Sequence, residues 1–431
     1  MESIWQREAA MPEYPALEGD VDADVLVIGG GMAGLLTAHR LREHGIDVVV
    51  AEQRRVCDGT TAYTTAKVTA QHGLIYHRLL SSHGEEAAKL YYQANAGAVD
   101  RLKELCRAAD CPIEEKDNYV CSSSRRKLEA EAAALQRLGI EARFDEAPPL
   151  PLECAGAVGI PAQAQMHPMK LAAWLSKELR IFEKSRVTEL VGTTAVTERG
   201  RIRARKIVVA THFPFLNKHG SYFLKLYQHR SYLLGLEGAE HLDGLYVDDD
   251  KKGMSFSSFG GLLLLGGGGH RTGKQGGSYA ELREFAKTHF PSAQERLHWA
   301  AQDCMSLDGI PYIGQYSRNT PDLYAASGFN KWGMTGSMVA ADLLCDLITG
   351  TGSDYTQVFS PSRSMLTPQL LVNGIETTAN FLIPTTRRCP HLGCALKYNR
   401  AEHSWDCSCH GSRFSESGEV LDNPANGNRR P

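Results

Sequence analysis

The sequence predicts an α/β chain: a parallel-sheet domain, an α+β domain interleaved with it, and a small β-rich module at the C-terminal end. Three observations carry that expectation. A strand, a glycine turn and a helix follow one another near the start, in Asp24-Val-Leu-Val-Ile28, Gly29-Gly-Gly31-Met-Ala-Gly34 and Leu35 to Glu43. Two later segments return to apolar strands that end in small-residue turns, Lys206-Ile-Val-Val-Ala-Thr211 and Asp322-Leu-Tyr-Ala-Ala-Ser-Gly328. Two short Cys/His loops, Cys389-Pro-His391-Leu-Gly-Cys394 and Cys407-Ser-Cys409-His410-Gly-Ser412, stand close to the end.

The first element is informative because strand and helix flank the turn where dinucleotide binding needs them. Gly29 permits the tight turn, Gly31 lets a pyrophosphate approach the backbone and the helix N-terminus, and Gly34 allows close helix packing. Gly30, Met32 and Ala33 complete the loop. A second strand, Ile46 to Ala51, delivers Glu52, whose carboxylate accepts hydrogen bonds from a ribose diol and repels a 2'-phosphate. After it comes Thr60-Thr-Ala-Tyr63-Thr-Thr65-Ala-Lys67, rich in hydroxyl donors. The plain alternative is a glycine turn without a ligand. The Gly266 to Gly269 run fails the G-x-G-x-x-G spacing at Arg271 and Thr272, so a separate nicotinamide domain is not expected.

Each C-terminal loop supplies one Cys and one His to a metal centre. Two thiolates suit one ferric ion, while two neutral imidazoles on a second iron leave a cluster less negative and raise its potential above that of an all-Cys cluster. Paired Cys and His at these spacings also satisfy a zinc knuckle. Zinc, however, needs neither the extra Cys394 and Cys409 nor Gly393 and Gly411, which let the backbone fold closely around a cluster.

The loops match every fixed position of C-x-H-x-G-C and C-x-C-H-G-S and so resemble those of the Rieske [2Fe-2S] family. The resemblance implies that Cys389 and Cys407 bind one iron and His391 and His410 the other. It places Cys394 and Cys409 where high-potential members carry a disulfide, although in a reducing compartment both would be free thiols. It also sets the Ser412 hydroxyl beside a bridging sulfide, a contact that raises the potential, and Phe414 where many members have Tyr. The rest of the chain resembles FAD-binding oxidoreductases of the Rossmann-like, glutathione-reductase/D-amino-acid oxidase (DAO) type. Beyond the glycine loop, three segments carry this: Arg201 to Phe215 with its Lys206 to Thr211 strand, Asp308-Gly-Ile-Pro311-Tyr-Ile-Gly314 with Asp322 to Gly328 and Gly333-Met-Thr335-Gly336, and the Thr60 to Lys67 stretch. It implies FAD contacts from Thr61, Thr65, Lys67, Val187 and Thr211. Gly333, Met334 and Thr335 would open the helix whose N-terminus stabilises negative charge on the reduced flavin.

The implied organisation is an N-terminal extension, 1–21, followed by an oxidoreductase body, 22–350. Within the body, dinucleotide-binding segments fall at about 22–75, 150–214 and 302–350, with insertions at about 76–149 and 215–301. The first insertion reads as helical from Glu85 to Ala109, with a second helix over Leu128 to Leu138 capped by Ser124. In the second, strand-like runs at Tyr232, at Gly244 to Val247 and at Leu262 to Leu265 accompany a helix near Tyr279 to Thr288, as in a mostly antiparallel sheet. A proline-containing linker, 351–386, leads to the cluster module, 387–431. No supporting strands are visible before Cys389 or after Asn423, so the cluster loops are expected to pack on the body and bring cluster and flavin toward electron-transfer range.

With 431 residues, 42% of them hydrophobic, and a formal net charge of −3, the chain can bury a large core and shows no basic footprint for nucleic acid or anionic membrane. No eighteen-residue apolar window and no secretory h-region are visible. Eleven cysteines, four of them at the C-terminus and the rest scattered, point to the cytoplasm.

Amino-acid-oxidising relatives clamp the substrate carboxylate with an Arg shortly before the Pro-x-x-Gly motif. The corresponding stretch here, Gln302 to Asp308, has none. Candidate substrate-side groups are Arg230, Tyr232, His270, Arg271, Lys331 and Trp332. The expected function is a dehydrogenase in which a small substrate reduces FAD and a Rieske centre relays electrons to an external acceptor, such as an electron-carrier protein. A flavin/iron-sulfur carrier or redox sensor without a small substrate is the alternative. A Rieske oxygenase would need a mononuclear iron site in a part of the chain that the flavin motifs occupy.

Overall fold

A computed structural model describes residues 2–216, 219–249, 253–274 and 278–429. Strand β1 (Val21–Ile28), helix α1 (Met32–Glu43) and strand β2 (Val48–Ala51) form the opening unit, with β1 and β2 parallel. The last four residues of β1 and all of β2 are buried, as the all-apolar runs require of strands covered on both faces. Strands β5 (Arg180–Phe182), β6 (Arg201–Val209), β12 (Tyr312–Gln315) and β13 (Leu323–Ser327) complete the path β12-β13-β6-β1-β2-β5 of an eight-stranded sheet. Helix α4 (Gly333–Thr349) packs beside α1 against it.

A nine-stranded sheet forms the second layer. Its strands include β3 (Ile113–Cys121), β4 (Ala157–Met166), β7 (Leu226–Glu237), β8 (Leu245–Asp248), β9 (Ser255–Phe259), β10 (Leu262–Arg271) and β11 (Gln294–Ser306). They run in the order β11-β7-β10-β9-β8-β3-β4, with Lys67–Val68 at the end. All pairings are antiparallel except β8 with β3. The four glycines after Leu265 lie inside β10.

Helix α2 (Tyr76–Ala108) is broken at Gly84, whose φ of 86° no helix holds, so its long arm begins where the sequence periodicity begins. Ser124 occupies the cap position of the next helix, Arg125–Arg137, without a capping bond from its hydroxyl. Helix α3 (Ser278–His289) covers β10 and β7.

The N-terminal stretch is part of the core. Ser3 and Gln6 close a capping box on a short helix, and the fully buried Trp5 donates Nε1–H to Thr64 O at 2.7 Å. The stretch read as a linker contains helix α5 (Pro368–Leu382). After it, β14 (Leu396–Asn399), β15 (Ser404–Cys407), β16 (Arg413–Ser415) and β17 (Val420–Asp422) make a four-stranded antiparallel sheet that carries the Cys/His loops. Among the described residues, no helix is long and apolar enough to cross a membrane.

Candidate functional site

The main cleft opens along the C-terminal ends of β1 and β2 and runs from the glycine turn to the start of α4. Gly29 has a φ of 112°, and a side chain there would meet Ala210 O at 2.5 Å. Gly34 lies so close to the carbonyl of Gly29 that no side chain fits. Gly31, at the mouth of α1, has only Thr61 Oγ1 near its missing Cβ, and that hydroxyl accepts the Met32 N–H at 3.1 Å. Glu52 accepts the Gly30 N–H at 2.7 Å and the Arg54 N–H at 2.8 Å, and burial lifts its pKa above the ordinary carboxylate value.

Of the sequence candidates, Gly29, Gly31, Met32, Ala33, Glu52, Thr61, Val187, Thr211, Gly333, Met334 and Lys331 line this cleft. Gly30 holds Glu52 instead. Thr65 offers its carbonyl to Gln165. Thr335 is bound to His72 and Thr69 O, both at 3.1 Å. Lys67 donates to Ser255 Oγ at 3.0 Å inside the second layer, and burial with Lys116 nearby pulls its pKa down to about 7.

Arg230 pairs with Glu402 of the C-terminal module, Nε to Oε2 at 2.9 Å with a second contact from Nη2, and both side chains are under 10% exposed. It is an interface residue. Tyr232 meets His270 Nε2 at 3.1 Å under α3, away from the cleft. Arg271 donates to Ser408 O and Cys409 O, and Trp332 stacks on His72 at 5.0 Å.

Sequence reasoning missed much of the cleft wall. Thr60, His212 and Asp303 line it, and so do Leu421 to Asn423, Ala425 and Asn426 from the module. Asp303 and His229 face one another across β11 and β7, next to the pair Ser231 and Ala301; Lys331 reaches Ser231 Oγ at 3.3 Å. The neighbouring positions, Gln228, Arg230 and Gln302, turn to the opposite face of that sheet and meet the module.

In the module, Cys389 and Cys407 are 2% and 1% exposed and share a hydrogen bond. That bond and burial push the Cys389 thiol up; the same bond brings Cys407 down to about 7. The rings of His391 and His410 stand 4.9 Å apart and nearly perpendicular. Burial lowers them to about 4 and about 3, so both imidazoles are neutral, the form that ligates metal. His410 is 1% exposed, and neither of its ring nitrogens has a hydrogen-bond partner. A buried imidazole is not left so by folding alone, whereas metal ligation satisfies it. Cys394 and Cys409 are joined in a disulfide, and the Cys407 sulfur lies within 4.8 Å of both. Ser412 stands beside Cys389 and accepts the Ala425 N–H at 3.0 Å.

The family model for FAD dependent oxidoreductases (DAO) matches residues 24–347, three quarters of the chain. The chain belongs to that family. The Rieske [2Fe-2S] domain model matches residues 370–430, which takes in most of α5 as well as the four-stranded sheet. This DAO-family oxidoreductase is 34% identical to the Rieske 2Fe-2S iron-sulfur protein YhfW of Bacillus subtilis (strain 168), over 98% of this chain and 96% of that protein. It is 24% identical to gamma-glutamylputrescine oxidoreductase of Escherichia coli (strain K12), over 79% and 87%. Glycine oxidase from Geobacillus kaustophilus shares the fold at a TM-score of 0.68 and 19% identity, covering 80% of this chain and 99% of that one. The chain is thus an FAD-dependent oxidoreductase whose DAO domain binds FAD and whose Rieske domain binds a [2Fe-2S] cluster. Cys389, Cys407, His391 and His410 supply a donor set that fits the cluster, and the close-packed turn at Gly29 and Gly34, with open space at Gly31, fits the dinucleotide.

Proposed function

We propose that this oxidoreductase oxidises a small amine at the cleft and passes the electrons through its Rieske cluster to an external acceptor. When bound, FAD takes up two electrons from the substrate and releases them singly, and the cluster carries one at a time. The observation that carries the reading is a bridge of side chains between the two sites. His212, on the cleft wall, donates from Nε2 to Gln228 Oε1 at 3.2 Å. Gln228 in turn donates to His410 O at 3.1 Å and Asn423 O at 2.6 Å. Gln302 donates to Gln228 Oε1 at 2.5 Å and to Gly411 O at 3.0 Å, while Thr60 holds the Gln302 carbonyl at 3.0 Å. Phe213 stands edge-on to both His391 and His410. Every link is buried or half-buried, which supports short, water-free coupling across the domain contact.

The amine class follows from charge. Asp303 lines the cleft in the stretch that lacks Arg, and an acid there repels a free carboxylate and attracts an ammonium. The name of the Escherichia coli relative points the same way. The seven cysteines outside the Cys/His loops, none of them in a disulfide, support a reducing, cytoplasmic setting.

Anaerobic mixing of the holoenzyme with panels of amines, hydroxy acids and amino acids tests the proposal, followed by absorbance and electron spin resonance. Bleaching of the flavin by an amine, followed by the signal of a reduced Rieske cluster, is the expected result. Reduction by a ferredoxin or flavodoxin alone would make the protein an electron carrier and overturn it.

A further inference from the structure

The guanidinium of Arg271, at the end of β10, is spent on the second cluster loop. Its Nε donates to Ser408 O at 3.1 Å and its Nη2 to Cys409 O at 2.9 Å, the two carbonyls that lie between the ligands Cys407 and His410. Nη1 donates to Asn373 Oδ1 of α5 at 2.8 Å, and the guanidinium stands 4.9 Å from the centre of the Tyr227 ring. All of these partners are neutral. Glu376, the acid that acts on Arg271 from α5, is itself paired with Lys274. The side chain is half-buried, and burial holds its pKa below the ordinary arginine value.

The other arginines of this contact are treated differently. Arg413 meets Asp406 Oδ1 at 3.1 Å and Asp422 Oδ2 at 3.0 Å, and Arg230 pairs with Glu402. A cation that gives up water is stabilised by a counter-charge, and neutral acceptors satisfy its N–H groups without balancing it. The missing negative charge belongs to the cluster. With two thiolates and two neutral imidazoles a [2Fe-2S] cluster is uncharged while both irons are ferric and singly negative after it gains an electron. The loop also cannot retreat from the guanidinium. Ser408 Oγ donates to Gly273 O at 2.8 Å, a side chain on Gly273 would meet Ser408 N at 2.6 Å, and one on Gly411 would meet Gln228 Cβ at 2.4 Å.

We propose that Arg271 is a positioning residue of the electron relay: its fixed positive charge, held against the second cluster loop, raises the reduction potential of the cluster. An opposite charge close by favours the charged state of its neighbour, and more so where water is thin. Arg271 comes from β10 of the DAO body and not from the module. Docking of the two domains therefore sets how strongly the cluster holds an electron.

Redox titration of the full holoprotein with dithionite and mediators tests this without any substrate, and so independently of the amine reading. Electron spin resonance reports the cluster and absorbance the flavin. Arg271→Gln keeps an N–H donor but loses the charge; the equilibrium constant for cluster reduction should fall at least about tenfold, or about 59 mV for one electron, with iron per chain unchanged. Arg271→Lys keeps the charge but loses the planar grip on two carbonyls, and should stay within about threefold of the wild type. Asn373→Asp leaves the bonds from Arg271 to the loop in place and sets a carboxylate on the guanidinium, so it should lower the constant at least about threefold. Equal shifts in Arg271→Gln and Arg271→Lys with none in Asn373→Asp would make Arg271 a clamp and overturn the assignment. Wild-type values in Arg271→Gln and Asn373→Asp would overturn it as well. Should Arg271→Gln lose its iron, Asn373→Asp decides the matter alone.

Discussion

The two walls of the cofactor cleft are made differently. One is built from contiguous residues: Gly29, Gly31, Glu52 and Thr61 follow within one strand-turn-helix-strand unit and its next turn. The other is assembled from His212, Asp303 and the module's 421–426 stretch, successive pieces of which lie about a hundred residues apart in the chain. A backbone-dictated site tolerates almost no change at a few positions. An assembled site depends on many bonds, each of modest strength, whose loss loosens one domain against the other.

The largest expected effect separates metal from docking. Cys407→Ser should abolish iron binding, seen as loss of the visible Rieske absorbance and of iron by metal analysis, while the Gly31 side of the cleft is unaltered. On the contiguous wall, Gly29→Val forces a β-branched residue into φ 112° against Ala210 O. Flavin per chain should fall by more than about tenfold and stability by more than about 4 kcal/mol, measured by absorbance and denaturant unfolding.

On the assembled wall, Glu402→Gln removes the acid from between Arg230 and Arg413, two arginines under 10% exposed. The expected cost is about 3–5 kcal/mol. In calorimetry it should appear as an earlier, separate transition of the module. Gln228→Met keeps the volume but breaks the bonds to His410 O, Asn423 O and His212. It should cost about 1–3 kcal/mol and slow cluster reduction in rapid mixing, with both cofactors still bound. If Gln228→Met were the more damaging of the two, the ionic pair would not be what holds the domains together.

The smallest effect concerns Lys67. Its folded pKa of about 7 lies below the ordinary lysine value of 10.5, so between those pH values the unfolded chain binds a proton that the folded chain does not. Stability should therefore rise with pH across that window and be lowest below pH 7. Lys67→Met should flatten that slope in melting temperatures taken at pH 6.5 and 9.5.

This contrast also explains what was legible in the sequence. The strand-turn-helix, the Cys/His loops and the helical arm after Gly84 rest on local backbone rules, and spacing alone exposes them. Arg230 looked like a substrate group because its partner, Glu402, is 172 residues away. Lys67 sits in a hydroxyl-rich turn facing the cofactor, but the short strand it begins sends its side chain to Ser255 instead. The stretch from 351 to 386 read as a linker because Pro361, Pro368 and Pro384 interrupt it, and the polar anchors that orient α5 come from Arg271, Lys274 and Leu224. Asp303 was in plain view as the stretch without arginine; only pairing across from His229 shows which way it points.

Strand β17 and the residues after it close over the cleft, with Asn423 bonded to Thr211 O and Phe213 O, and Asn426 to Val187 O. Nucleotide retention is thereby tied to the last residues of the module: a chain cut before Asn423 would leave one side of the enclosure open and should shed its yellow pigment.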